Sequence, residues 1–223
     1  MPRGATLMPT SPTLAVHCTV MGLSCSLTAL SSANILAFDE SRDGDASDDR
    51  FAPSIVALTE GMNTLRGFSG QSSTPDIHDL DYITFTISEG FQLDGFFVQA
   101  ASVGGAFSFV GLQAGPQITI PANWTDINTP LLGWAHFGSS TIGADILPDM
   151  AISPGSIGFS GPLAAGTYAL WIMELDASEP HTYSFGLRVS SVPGPSALAL
   201  AMAFGVIGTR RARSSRIAYI TKS

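Results

Sequence analysis

The densest concentration of groups able to do chemistry lies between Asp39 and Asp49, where Asp39, Glu40, Asp43, Asp45, Asp48 and Asp49 surround Gly44. Carboxylates spaced this closely are the ligands that hard cations take. Calcium accepts roughly six to eight oxygens, and a glycine-containing turn lets several carboxylates converge. Asp43, Asp45 and Asp48 are the candidates, joined by Asp79 or Asp81 from further along the chain. The spacing is not that of an EF-hand, because no Glu follows at the closing position of such a loop. Calcium is therefore the one cofactor the sequence suggests. A solvated acidic arm is the competing reading.

A second chemistry is carried by aromatics. The segment 121–165 is rich in Gly, Pro and Ser yet holds Trp124 and Trp134. Long connections of this kind tend to be functional, and both indoles are candidates for stacking on sugar rings. The same aromatics could equally be core residues on short, irregular strands. Asn123-Trp124-Thr125 has the form of a glycosylation acceptor, a triplet that also arises by chance.

Catalytic signatures are lacking. The chain has no G-x-S-x-G elbow, H-E-x-x-H pair, Walker loop or C-x-x-C. His78, His136 and His181 are isolated among turn and strand residues. Glu89, Glu174 and Glu179 could supply a carboxylate pair for glycoside hydrolysis, which needs a separation of roughly 5–10 Å, but no spacing brings two of them together. The sequence points to a non-catalytic protein, with a secreted hydrolase acting on an exopolysaccharide as the alternative.

The elements that must position these residues read as β. Leu80 to Ser88 alternates, with Ile83, Phe85 and Ile87 on one face and Thr84, Thr86 and Ser88 on the other. A Glu89-Gly90 turn leads into Phe91–Ala100, which predicts a hairpin. Further strands are predicted over 106–113, 118–120, 166–175 and 180–189, the third of these apolar on both faces as a central strand would be. Gly and Pro interrupt the chain too often for long helices. The expected class is all-β, an antiparallel β-sandwich, with a signal helix before it and a short apolar helix after it.

Composition divides the chain. All 18 acids fall between Asp39 and Glu179, and between the two terminal segments only Arg42, Arg50, Arg66 and Arg188 oppose them; four positive charges against eighteen negative leave −14 for that region, compared with −8 for the whole chain. Such a charge excludes nucleic acid as a partner, since that requires a cationic face. Residues 1–33 read as a signal peptide: one early Arg, a mostly apolar run from Leu14 to Leu30, and Ser31-Ser32-Ala33 as a small-x-small cleavage site, with Ala37 the second choice. Both cysteines, Cys18 and Cys25, lie within it. Gly22 opposes a lipoprotein reading at Cys25, where a bulky apolar residue is expected. The predicted organisation is signal peptide 1–33, acidic arm 34–50, sandwich 51–191 and tail 192–223.

The tail has three parts: Pro193-Gly194-Pro195, an apolar run from Ser196 to Thr209, and a basic cluster of Arg210, Arg211 and Arg213. Fourteen residues span about 21 Å as a helix, short of the hydrocarbon core of about 30 Å. That suits a transient membrane contact, with the arginines held on the cytoplasmic side. This order resembles the PEP-CTERM sorting signal of Gram-negative bacteria, with Gly194 where that family has Glu. The resemblance implies processing by exosortase-type machinery, export to the cell envelope, cell surface or extracellular matrix, and an exopolysaccharide as partner.

The strands carry a second resemblance. Asp79-Leu80-Asp81-Tyr82-Ile83-Thr84-Phe85 and Leu163-Ala164-Ala165-Gly166-Thr167-Tyr168 look like the two motifs of the bacterial pre-peptidase C-terminal domain. Ile83 replaces an aromatic, and no proline precedes the second motif's glycine. The resemblance implies a jelly-roll-like sandwich without catalytic residues.

Overall fold

The computed structural model describes residues 34–71, 78–101, 108–123, 129–174 and 181–194. The expected signal helix and C-terminal apolar helix lie outside the described residues. What is described is mostly β.

In chain order the elements are β1 (Asn34–Asp39), α1 (Glu40–Asp43), β2 (Ser54–Ala57), β3 (Gly61–Gln71), β4 (His78–Asp79), β5 (Asp81–Ile87), β6 (Phe91–Ala101), β7 (Ser108–Ala114), β8 (Gly133–Phe137), a 3-10 turn (Ser139–Thr141), α2 (Leu147–Ala151), β9 (Gly166–Glu174) and β10 (His181–Ser191). They form two sheets. The first has the order β1-β3-β10-β6, with β4 paired to the end of β3; the second has the order β2-β5-β9-β7-β8.

Both sheets are mixed, which corrects the expectation of a purely antiparallel arrangement. β1 runs parallel to β3 and β2 parallel to β5, while the remaining pairs are antiparallel. Parallel neighbours cannot be joined by a tight hairpin and need a crossover. The chain supplies it by visiting the second sheet with β2 between β1 and β3. Residues 34–50, expected as an arm, therefore contribute a sheet strand and a helical turn.

The inner faces of the sheets meet in one apolar cluster. Leu65, Phe96, Val98, Phe185 and Leu187 from the first sheet pack with Ile83, Phe85, Val110, Leu112, Leu170 and Ile172 from the second. Phe185 is central: its ring lies 5.0 Å from Phe96, 4.8 Å from Phe137 and 5.2 Å from Tyr183.

The second sheet is covered on its other face as well. Tyr82, Ala169 and Trp171 point outward but are buried under Ile118, Ile120 and Leu131. Residues 118–120, expected as a short strand, serve instead as an irregular cover. It is pinned by the Arg50 carbonyl accepting from Ile118 N at 3.2 Å and by Arg50 Nη1 donating to Thr119 O at 2.6 Å. Among the described residues no helix is long and apolar enough to cross a membrane.

Candidate metal centre

Three segments converge at one edge of the two-sheet fold. Asp39 ends β1 and caps α1, its Oδ1 accepting from Ser41 N at 3.0 Å. A carboxylate there satisfies a helix-start amide that would otherwise lack a partner. The turn sets Glu40 facing β3, where Glu40 Oε2 accepts from Phe68 N at 2.8 Å. Gly44 then reverses the chain at φ 92°, a left-handed conformation that favours glycine. Beyond it, the loop is fastened to the second sheet. Tyr82 N donates to Ser47 O at 2.9 Å, and Leu80 N to Asp48 Oδ1 at 2.8 Å. These bonds carry Asp45 to the start of β5. Glu40, Asp45 and Asp81 consequently each offer a carboxylate oxygen, all within 4.8 Å of one another.

Burial makes this cluster unusual. Asp81 is fully buried, and neither of its carboxylate oxygens has a hydrogen-bond partner; the same holds for Glu40 Oε1 and the Tyr183 hydroxyl. Tyr183 approaches Asp81 from β10 closely enough to favour its ionised form, but without hydrogen-bond alignment. Desolvation, followed by the negative charge of Glu40, pushes Asp81 up to about 9. Asp79 is pushed up to about 7, by burial first and then by Asp45, Glu40 and Asp48. Burial also raises Glu40, against the opposing pull of the Phe68 and Ala46 amides. The Tyr183 phenol is held well above its ordinary value by burial and by Asp81. These are the marks of acidic groups confined without a counter-charge.

Of the five aspartates expected from sequence, Asp45 and Asp81 enter the cluster, and Asp79 stands close enough to feel it. Asp43 does not enter. Its carboxylate is taken by Arg42, at 2.8 Å to Nε and 2.6 Å to Nη2, and by Asp39 N at 3.0 Å. Arg42 chiefly holds it down at about 2. Asp48 spends an oxygen on Leu80 N instead. Glu40 is the member that sequence reasoning missed. No local spacing relates it to Asp81; the only signal was the capping aspartate before it, which places Glu40 at the start of a helical turn.

The aromatic candidates fare differently. Trp124 lies outside the described residues. Trp134, on β8, donates its indole N–H to Pro154 O at 3.0 Å, and its ring packs 6.2 Å from Phe109 and 5.3 Å from His136. It remains half-exposed at the edge of the cover over the second sheet. Of the sorting-motif residues, Pro193 and Gly194 are exposed beyond the end of β10, while Pro195, Arg210, Arg211 and Arg213 lie outside the described residues.

Of the carboxylates considered for catalysis, Glu89 and Glu174 stand at opposite ends of one ladder. Ile87 pairs with Gly166 at one end of the β5–β9 ladder. Glu89 follows Ile87 there, whereas Glu174 closes β9 at the other end, about 25 Å away at strand rise. Glu179 lies outside the described residues. The Ser108 hydroxyl donates to the Glu174 carboxylate, and His181 Nδ1 is 4.0 Å from the same carboxylate. That gives a serine bonded to an acid, not one activated by an imidazole. His136 sits beside the Ser108 carbonyl, Nδ1 at 3.3 Å, and His78 pairs its backbone with Gln71.

No protein-family model matches this chain, and no curated protein matches it either.

Proposed function

We propose that this chain is an exported, non-catalytic β-sandwich of jelly-roll-like form, sorted to the cell envelope or extracellular matrix through its PEP-CTERM-like tail. Its role there is structural, in association with an exopolysaccharide. The observation that supports the reading is the pair of packed sheets built between Asn34 and Ser191, a β-sandwich that in sequence precedes Pro193-Gly194-Pro195, the apolar run and the arginine cluster. The high negative charge between the two terminal segments fits a soluble surface module that attracts cations.

Expression in an exosortase-bearing Gram-negative host tests this. Exported material should begin at or near Asn34 by N-terminal sequencing and should lack the arginine cluster by mass. An intact 1–33 segment on exported protein, or retention of all of it in the cytoplasm, refutes the export reading. Pull-down on the host's exopolysaccharide tests the partner separately.

A further inference from the structure

We propose that Glu40, Asp45 and Asp81 bind a calcium ion that clamps the N-terminal segment to both sheets. The three carboxylates lie within 4.8 Å of one another, close enough for one ion to touch all three. The observation independent of that clustering is the set of buried acceptors left unsatisfied. Asp81 is wholly buried with both oxygens unpartnered, and Glu40 Oε1 and the Tyr183 hydroxyl are unpartnered as well. Native proteins rarely leave buried polar atoms so, and each such atom calls for an explanation such as an ion. Buried carboxylates need charge compensation in particular. Among the described residues no arginine or lysine pairs with them.

The absence of a side chain on β3 is what lets two of the unpartnered groups reach the cluster. Gly67 on β3 lies beneath Glu40 Oε1 and the Tyr183 hydroxyl, and a Cβ there would stand 2.5 Å from the former and overlap the latter. The donor set is oxygen only, which selects a hard cation over zinc or copper. One bidentate-capable buried carboxylate, an irregular arrangement and an exposed flank at Asp45, where water completes the shell, suit calcium. Magnesium demands a near-ideal octahedron. Three protein carboxylates place the affinity in the weak range of extracellular modules, with Kd on the order of 10⁻⁴–10⁻³ M.

The clamp follows from where the ligands sit. Glu40 belongs to the turn after β1 and is bonded to β3; Asp45 belongs to the loop fastened at Tyr82; Asp81 opens β5 in the second sheet. One ion joins all three.

The full-length chain, stripped with EDTA and dialysed, should be titrated with calcium chloride and in parallel with magnesium chloride. Heat of binding and melting temperature are the readouts. Calcium should saturate a single site and raise the melting temperature progressively, with magnesium weaker. Asp81→Asn keeps the shape but removes the charge, and should weaken calcium binding at least tenfold. Glu40→Gln should do the same and carries the test should Asp81→Asn not fold. Asp43→Asn, outside the site, should bind as the parent does. Absence of saturable heat and of any melting shift at about 10 mM calcium, well above the weak end of such sites, overturns the proposal. So does full calcium response in both Asp81→Asn and Glu40→Gln. A failed export assay beside an intact calcium response would sink the sorting interpretation alone.

Discussion

Gly67 and Tyr183 stand opposite one another in the β3–β10 ladder, and the missing side chain of Gly67 is what gives the Tyr183 hydroxyl its place. Glu40 Oε1 occupies the same space from the helical turn above. The glycine is required there for room, not for backbone freedom, because it is not among the positive-φ positions of the chain.

Gly67→Ala should therefore destabilise the protein by overpacking, at a cost of about 1–3 kcal/mol. Urea denaturation measures it, as a lower midpoint with unchanged slope. The substitution should also weaken the calcium response, because either Glu40 or Tyr183 must move aside. An unchanged midpoint would mean that the space above Gly67 is not constrained.

Without divalent cation, stability should fall as pH rises from about 5 to about 9. Asp81 is faced by Glu40 from α1, Asp45 from the loop, Asp79 from β4 and Tyr183 from β10. The folded-state values of Asp79, about 7, and Asp81, about 9, lie above the ordinary value of 3.8. A carboxyl raised in this way binds its proton more tightly when folded, so its stabilising contribution is complete in acid and is lost as pH passes the folded value. Melting in EDTA across this range should show the decline, and Asp81→Asn should flatten it. A melting temperature that climbs with pH in EDTA contradicts the assignment. Excess calcium should reverse the trend, since it binds the ionised form.

The core makes a separate prediction. Phe185 is fully buried against Phe96, Phe137 and Tyr183. Phe185→Ala should cost about 3–5 kcal/mol through lost burial and the cavity left behind. Ile55 is 87% exposed on β2, and Ile55→Thr should change stability by no more than about 0.5 kcal/mol. Paired denaturation curves compare the two. Equal effects would place the core elsewhere.

What could be read in advance followed from local pattern. Ile83, Phe85 and Ile87 alternate because one face of β5 is core, and β9 reads apolar throughout because the second sheet is covered on both sides. Thr84, on the face opposite Ile83 and Phe85, is buried as well and donates its hydroxyl to Tyr168 O at 3.1 Å. β3 went unread because its buried face includes Asn63, Gly67 and Ser69 among the apolar positions. Asn63 is satisfied only by its fold, donating to Thr59 O and, across the ladder, to Leu187 O. The cluster was half legible for the same reason. Asp45 and Asp81 lie in conspicuous acidic stretches, but Glu40 joins them through a bond to Phe68, and Asp43 leaves through a bond to Arg42. Neither bond is written in the spacing.

The ends of the chain give the last prediction. β10 closes at Ser191, and Val192 N still donates to Gly90 O at 2.8 Å, so the ladder is complete before Pro195. Deleting residues 195–223 should leave a folded protein with the parent's melting temperature and calcium response. If the tail is a sorting signal, the same deletion should abolish retention at the cell envelope and release the domain into the medium. If the arginines act by holding the cytoplasmic end, Arg210→Ser, Arg211→Ser and Arg213→Ser together should mis-sort the protein without altering its stability. Circular dichroism and fractionation of the two variants separate the outcomes. A truncated chain that does not fold would assign the tail to the core and end the sorting interpretation.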